Sequence, residues 1–151
     1  MRAKTVILVA EDDPCDALLL KLAFKRAEQQ VEIHFVQNGE EAMAYLSNQP
    51  PFQDRTRNPW PDVLLLDLNM PRVDGYDVLE WLKCQAQHGN LSVGVLSGME
   101  DQESIGRALD LGASFYLVKP HDPSELAGLA AEIAVQDRDR VEPNSEIVGV
   151  F

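Results

Sequence analysis

The sequence predicts a doubly wound α/β domain, in which a parallel sheet is covered by helices on both faces. Two apolar runs without alternation, 6–10 and 63–66, each end in acidic residues. Central strands of parallel sheets have this form because both of their faces are buried. Strand patterns and helix patterns alternate five times along the chain, as in doubly wound sheets. With 151 residues, the chain is long enough for one core of ordinary size.

The first half of the chain shows a helix, a strand and a second helix between the two apolar runs. The first helix has an apolar stripe at helical spacing: Leu20, Ala23, Phe24 and Ala27. Residues 31–35 alternate between apolar and polar, which predicts a strand with one more exposed face. Asn38 is expected to cap the second helix, with Glu41 in the capping-box position.

The second half continues the alternation. A third helix begins near Tyr76, with Asp74 and Asp77 as caps, and a fourth ends near Gly112. Two more strands are predicted at 91–96 and 115–118. The last helix has three start signals, namely Asp122 as cap, Pro123 in the first turn and Glu125 in the capping-box position.

Two segments lie outside this alternation. Residues 47–61 contain four prolines and predict an insertion loop, since proline disfavours helices and interior strands. Residues 137–151 predict a tail outside the main core, which leaves 1–136 as the domain. The apolar end of the tail is expected to cover a groove or a sheet edge, or else to fray.

Composition excludes several functions. Thirteen basic and 25 acidic residues give a net charge of −12, which disfavours binding to nucleic acid or to an anionic membrane surface. No apolar run approaches the ~20 residues that cross a bilayer, and no signal-peptide pattern is present, so a cytoplasmic location is expected. Cys15 and Cys84 are isolated and are expected to be buried or half-buried free thiols.

Acidic, hydroxyl and basic residues follow four of the predicted strands: Glu11 with Asp12, then Asp67, Ser97 and Lys119. The carboxyl ends of such strands form the ligand site of doubly wound sheets. Clustered carboxylates repel one another and lose solvation, which a hard divalent cation such as Mg²⁺ offsets. The lysine and serine suit the charge of a transferring phosphoryl group, with a carboxylate as nucleophile. Each residue alone has an ordinary interpretation as a cap or a surface charge.

Four motifs resemble the receiver domains of response regulators in two-component signalling. They are Val9–Pro14, Leu65–Pro71, Leu96–Gly98 and Tyr116–Pro120. The resemblance covers about Thr5 to Gln136, and the spacing of the motifs also agrees. It implies a five-stranded sheet of order 2-1-3-4-5 with five helices, the flavodoxin-like receiver fold.

The resemblance also assigns roles to individual residues. Asp67 matches the phosphorylated aspartate. Mg²⁺ would be held by Asp12 directly, by Glu11 through water, by Asp67 and by the backbone carbonyl of Asn69. Lys119 would bind the phosphoryl group.

Two further matches imply a conformational switch. Ser97 matches the hydroxyl that follows the phosphate, and Tyr116 matches the aromatic residue that turns inward on activation. The peptide bond before Pro120 matches one that is typically cis in this family.

The implied phosphodonor is a sensor histidine kinase. The long loop 47–61 resembles that of stand-alone regulators that pair with bacterial phytochrome kinases. Trp60 in this loop has two interpretations, covering the sheet edge or contacting a kinase. A symmetric homodimer through the fourth helix, fifth strand and fifth helix, helped by the tail, is expected as the route to output.

Two other functions stay open. A haloacid-dehalogenase-like aspartyl-phosphate hydrolase also uses a strand-end Asp, Mg²⁺ and a Lys, but it generally has a second Asp two residues after the nucleophile. This chain has Asn69 there, so a non-enzymatic signalling role is favoured. A receiver-shaped interaction domain that takes no phosphate is the other alternative, although every matching acceptor residue is present.

Overall fold

The computed structural model describes residues 4–26, 31–85, 91–125, 128–130, 133 and 148–150. Five parallel strands lie side by side in its sheet: β1 Thr5–Ala10, β2 Val31–Val36, β3 Val63–Leu66, β4 Ser92–Ser97 and β5 Phe115–Val118. Their order is β2-β1-β3-β4-β5, which confirms the predicted fold class. Among the described helices, none is long and apolar enough to cross a membrane.

Four α-helices connect these strands: α1 Pro14–Arg26, α2 Gly39–Leu46, α3 Gly75–Lys83 and α4 Gln102–Asp110. The last helix is described at 128–130 and 133, after a 3-10 turn at Pro123–Glu125. Asp122 caps this turn, because its Oδ1 accepts from the Ser124 amide at 3.0 Å. Ala27 of the predicted first-helix stripe lies outside the described residues.

Side-chain caps mark where α2 and α3 begin. Asn38 Oδ1 accepts from the Glu41 amide at 2.8 Å, as predicted. The Glu41 carboxylate accepts from the Gln37 amide at 2.7 Å, one residue before the expected partner. In α3 the capping box is complete, since Asp74 and Asp77 each accept from the other's amide at 2.9 and 3.0 Å.

The sheet separates two apolar cores, and successive residues of β1 enter different ones. Ile7 and Val9 pack with α1 and the last helix, whereas Leu8 and Ala10 pack with α2, α3 and α4. All four side chains are therefore buried, although side chains alternate between the faces of a strand. This two-sided burial explains why the central strands read as unbroken apolar runs.

A close contact joins the neighbouring strands β4 and β5. Gly94 pairs in register with Phe115, and a Cβ at position 94 would lie 2.1 Å from Cζ of the Phe115 ring. The ring therefore occupies the space above the glycine. Only a residue without a side chain fits there, because protein interiors are close-packed.

The insertion loop 47–61 is an ordered structure held by Arg55. The Arg55 guanidinium donates to the carbonyl oxygens of Tyr45 at 2.8 Å and Asn58 at 3.1 Å. It also lies near the Tyr45 and Trp60 rings, at 5.4 and 5.6 Å from their centroids, where cation–π attraction operates. Trp60 nevertheless remains 38% exposed.

Two sequence predictions about local structure are wrong. The cis peptide bond found among the described residues joins Pro50 to Pro51, in the insertion loop, and the bond before Pro120 is not cis. Cys15 and Cys84 are free, as predicted, but both are exposed.

A short sixth strand, β6 Val148–Val150, extends the sheet beyond β5. It runs parallel to β5, with Tyr116 opposite Val148 and Val118 opposite Val150. Residues 148–150 of the tail thus cover the outer edge of β5, one of the two outcomes that the sequence left open.

We predict that Gly94→Ala lowers the free energy of unfolding by about 1–3 kcal/mol, the usual range for an overpacked core. The added Cβ would displace the Phe115 ring. Urea denaturation measures the effect, with Gly106→Ala as the matched control. Gly106 lies in α4 with no atom within 4 Å of the added Cβ, so alanine there should be neutral or stabilising. Equal stability of Gly94→Ala and the unaltered chain would contradict this packing.

Candidate functional site

The carboxyl ends of the strands bring the predicted site residues to one edge of the sheet. Glu11 follows β1, Asp67 follows β3, Ser97 ends β4 and Lys119 follows β5. Backbone bonds extend the ladder into this edge: the amide of Asp67 donates to Ala10 O at 3.1 Å, and that of Lys119 donates to Ser97 O at 2.8 Å. The site is therefore held by the sheet itself.

Three carboxylates form a compact group, which we call the carboxylate trio: Glu11, Asp12 and Asp67. Each offers an oxygen within 4.8 Å of the others. Glu11 and Asp67 are buried and Asp12 is exposed. An oxygen-only donor set with an open side suits Mg²⁺, which keeps several waters and binds through one or two carboxylates. The residues therefore fit the predicted metal.

Lys119 is the cation at the centre of the site. Its Nζ lies 2.6 Å from Glu11 Oε1, 2.9 Å from Asp16 Oδ2 and 3.2 Å from Asp67 Oδ2. Asp16 is the residue that sequence reasoning missed. It lies in the first turn of α1, 103 positions from Lys119, and its position in the chain carries no signal of this contact.

Burial and charge change the proton affinity of the two central groups. Burial is the main cause that raises the pKa of Glu11 from 4.5 to about 7, and the nearby charge of Asp67 adds to it against the opposing effect of Lys119. Burial alone would lower the pKa of Lys119, but hydrogen bonds to Glu11 and Asp16 outweigh it and raise that pKa. One ammonium thus stands among four carboxyl groups.

The loop after β3 fixes the orientation of Asp67. The backbone amide of Asn69 donates to Asp67 Oδ1 at 3.2 Å, so the predicted phosphoacceptor and Asn69 lie together. Gly75 allows the chain to close behind them, because a Cβ there would lie 2.6 Å from the Asp67 carbonyl oxygen. Asp67 Oδ2 faces Lys119, so the carboxylate is held on both sides.

Ser97 and Tyr116, which the resemblance assigns to the switch, are both fully buried. The Met99 residue links them: its amide donates to Ser97 Oγ at 3.2 Å, and its carbonyl accepts from the Tyr116 hydroxyl at 2.6 Å. The Tyr116 ring is therefore buried, with its hydroxyl directed to Met99. Ser97 does not cap α4, because Asp101 Oδ2 accepts from the Ser104 amide at 2.9 Å.

Comparison with known proteins agrees with this geometry. The sequence model of the family described as the response regulator receiver domain matches residues 7–131 of this chain. Response regulator Rcp1 of Synechocystis sp. is 30% identical over 121 residues, 80% of each protein. Its Mn²⁺-bound crystal structure superposes with a TM-score of 0.75 at 29% identity, covering 85% of this chain and 91% of that one.

Two other solved structures are more similar in fold. RPA3017, a response regulator in red light signalling of R. palustris, has a TM-score of 0.81 at 35% identity and covers 87% of this chain and 92% of its own. The phosphorylated cyanobacterial phytochrome response regulator RcpA has a TM-score of 0.81 at 30% identity, and the match covers 95% of this chain and 100% of RcpA. The predicted resemblance to phytochrome-associated regulators is confirmed, and the chain belongs to the family of response regulator receiver domains.

Proposed function

We propose that the chain is a response regulator that accepts a phosphoryl group on Asp67 from a phosphohistidine of a sensor kinase. The observation that carries this proposal is the placement of Asp67 Oδ2 3.2 Å from Lys119 Nζ and within the carboxylate trio. A nucleophilic carboxylate, a cation-binding group and an ammonium are the parts that phosphoryl transfer requires.

The proposed transfer begins with attack of an Asp67 carboxylate oxygen on phosphorus. The new O–P bond forms as the P–N bond to the donor imidazole breaks, and the imidazole nitrogen retains the electron pair and takes up a proton. Lys119 donates hydrogen bonds to the phosphoryl oxygens. Glu11, Asp12, Asp67 and the carbonyl of Asn69 are proposed to hold Mg²⁺, which supplies positive charge for the same oxygens.

The donor is proposed to be a sensor histidine kinase of the phytochrome type. The support is similarity to RcpA, described as a phytochrome response regulator, and to RPA3017, described in red light signalling. The Mn²⁺-bound structure of Rcp1 supports the metal.

A hydrolase of the haloacid-dehalogenase type is less well supported. Its general acid/base would be an Asp at position 69, where this chain has Asn69. The hydrogen bond from Asn69 to Asp67 comes from the backbone amide, and the carboxamide side chain of Asn69 does not transfer protons near neutral pH. We therefore infer a signalling protein rather than an enzyme.

Ser97 and Tyr116 are proposed to change conformation when Asp67 is phosphorylated. Because Met99 binds both side chains, a movement of Ser97 toward a phosphoryl group would change the contact that holds Tyr116. Phosphorylation would then favour one of two packings of α4 against β5.

We predict that Asp67→Asn abolishes labelling by a phosphorylated histidine kinase or by radiolabelled acetyl phosphate. The amide keeps the shape of the side chain but removes the nucleophile. Asp13→Asn is the matched control, since Asp13 is an exposed acid beside the same site, and it should be labelled normally. Thermal melts confirm that both variants fold. Full labelling of Asp67→Asn would exclude Asp67 as the acceptor.

Glu11 should make the stability of the metal-free chain depend on pH. Since burial raises its pKa from 4.5 to about 7, the folded chain binds more protons than the unfolded chain between these values. Stability therefore falls as pH rises through this window, by an amount on the order of 3 kcal/mol. Mg²⁺ should restore stability above pH 7, because it binds the ionised folded site.

Urea denaturation in EDTA and in Mg²⁺, from pH 4.5 to 8, measures this effect. Glu11→Gln should remove both the pH slope that belongs to Glu11 and most of the Mg²⁺ stabilisation. The same slope and the same response to Mg²⁺ in Glu11→Gln and in the unaltered chain would refute the proposed role of Glu11.

We further propose a symmetric homodimer through α4, β5 and the last helix, helped by the tail. β6 forms one edge of the described sheet, and an edge strand offers backbone groups to a second copy. Sedimentation of the full chain should show a dimer above micromolar concentration, and removal of residues 137–151 should weaken it. A monomer in both cases, with and without phosphorylation, would rule the dimer out.

A further inference from the structure

We infer that Asp16 is a positioning residue, which holds the Lys119 ammonium so that Glu11 and Asp67 can bind a cation. This inference rests on the metal site of the proposed function and extends it to a residue outside the carboxylate trio. Asp16 would touch neither the metal nor the phosphoryl group. It would act through Lys119 alone.

The contacts of Lys119 place Asp16 in this role. A lysine ammonium has three N–H donors, and Lys119 has three carboxylate acceptors at 2.6–3.2 Å. Glu11 and Asp67 belong to the carboxylate trio, whereas Asp16 does not. Among the acceptors of Lys119 in the described part of the chain, Asp16 is therefore the one that a cation at the trio leaves free.

The oxygens of Glu11 and Asp67 are already engaged. Glu11 Oε1 accepts from Lys119, and Oε2 accepts from the Asp13 amide at 3.2 Å. Asp67 Oδ2 accepts from Lys119 and Oδ1 from the Asn69 amide. An incoming cation must compete with the ammonium for at least one of these oxygens, because two positive charges that share one carboxylate repel each other.

Asp16 is well placed to retain the ammonium during this exchange. It is anchored by α1, whose Leu20 lies one helical turn further on and is buried in the core. Asp16, Leu20 and Lys119 line one cavity of about 150 Å³, and no residue of the carboxylate trio lines it. This space allows the ammonium to move away from the trio while it keeps its contact with Asp16.

A double-mutant cycle with Mn²⁺ as the probe tests the inference. Binding to the metal-free chain is followed by the loss of the free Mn²⁺ signal in electron paramagnetic resonance. Asp16→Asn should weaken Mn²⁺ binding by about two- to fivefold, the range of partly exposed charge pairs. Lys119→Met should tighten binding, because it removes the competing ammonium. In the Lys119→Met background, Asp16→Asn should have no further effect.

Two controls separate positioning from general charge. Glu80→Gln removes one exposed negative charge on α3 and should leave Mn²⁺ affinity unchanged. If Lys119→Met does not melt cooperatively, Lys119→Gln replaces it in the cycle, since glutamine removes the charge and keeps a polar end.

The outcomes distinguish this inference from the proposed function. Equal weakening by Asp16→Asn with and without Lys119 would show a direct effect of charge and would overturn the positioning role alone. No effect of Asp16→Asn on a chain that binds Mn²⁺ would overturn it as well. Failure of the unaltered chain to bind Mn²⁺ would contradict the metal site of the proposed function, and the positioning role with it.

Discussion

The ion pairing of Lys119 is the interaction on which the site depends. Four carboxyl groups, those of Glu11, Asp12, Asp16 and Asp67, approach one another where the strands end, and two of them are buried. Without a cation this arrangement would be strongly unfavourable, because burial and mutual repulsion both penalise the charged forms. The ammonium of Lys119 offsets part of this cost. The remaining negative charge favours a divalent cation. The repulsion among the carboxylates, which destabilises the fold, is therefore also what favours cation binding at the site.

Packing in the apolar core offsets the remaining electrostatic cost of the buried carboxylates. β3, which Asp67 follows, is buried at every residue, and the packing of Phe115 over Gly94 fixes β5, which Lys119 follows. Because each functional side chain follows a central strand directly, small movements of the site would require movement of the sheet. Movement in the site on ligand binding must therefore come from the Lys119 side chain and from the contacts among Ser97, Met99 and Tyr116.

Local patterns explain what the sequence could predict. The apolar strands and the residues that follow them are neighbours in the chain, so the convergence of Glu11, Asp67 and Lys119 could be anticipated. The strand order came from the resemblance of the motifs to receiver domains and not from local patterns. The Asp16 contact, the Arg55 contacts in loop 47–61 and the pairing of β6 depend on side chains or segments that tertiary packing brings together. Even at short range the prediction was inexact at Glu41. Its carboxylate accepts from the amide of Gln37 and not from that of Asn38, and the same capping pattern in the sequence fits both bonds.

A crystal structure of the chain with Mg²⁺ and beryllofluoride, a mimic of the phosphoryl group, would show whether Lys119 leaves Glu11 when the site is occupied. We expect beryllofluoride on an oxygen of Asp67, with Lys119 Nζ in contact with a fluoride and with Asp16, and no longer with Glu11. Beryllofluoride at another residue, or a Lys119 ammonium that remains 2.6 Å from Glu11 Oε1 with the ligand bound, would contradict this expectation.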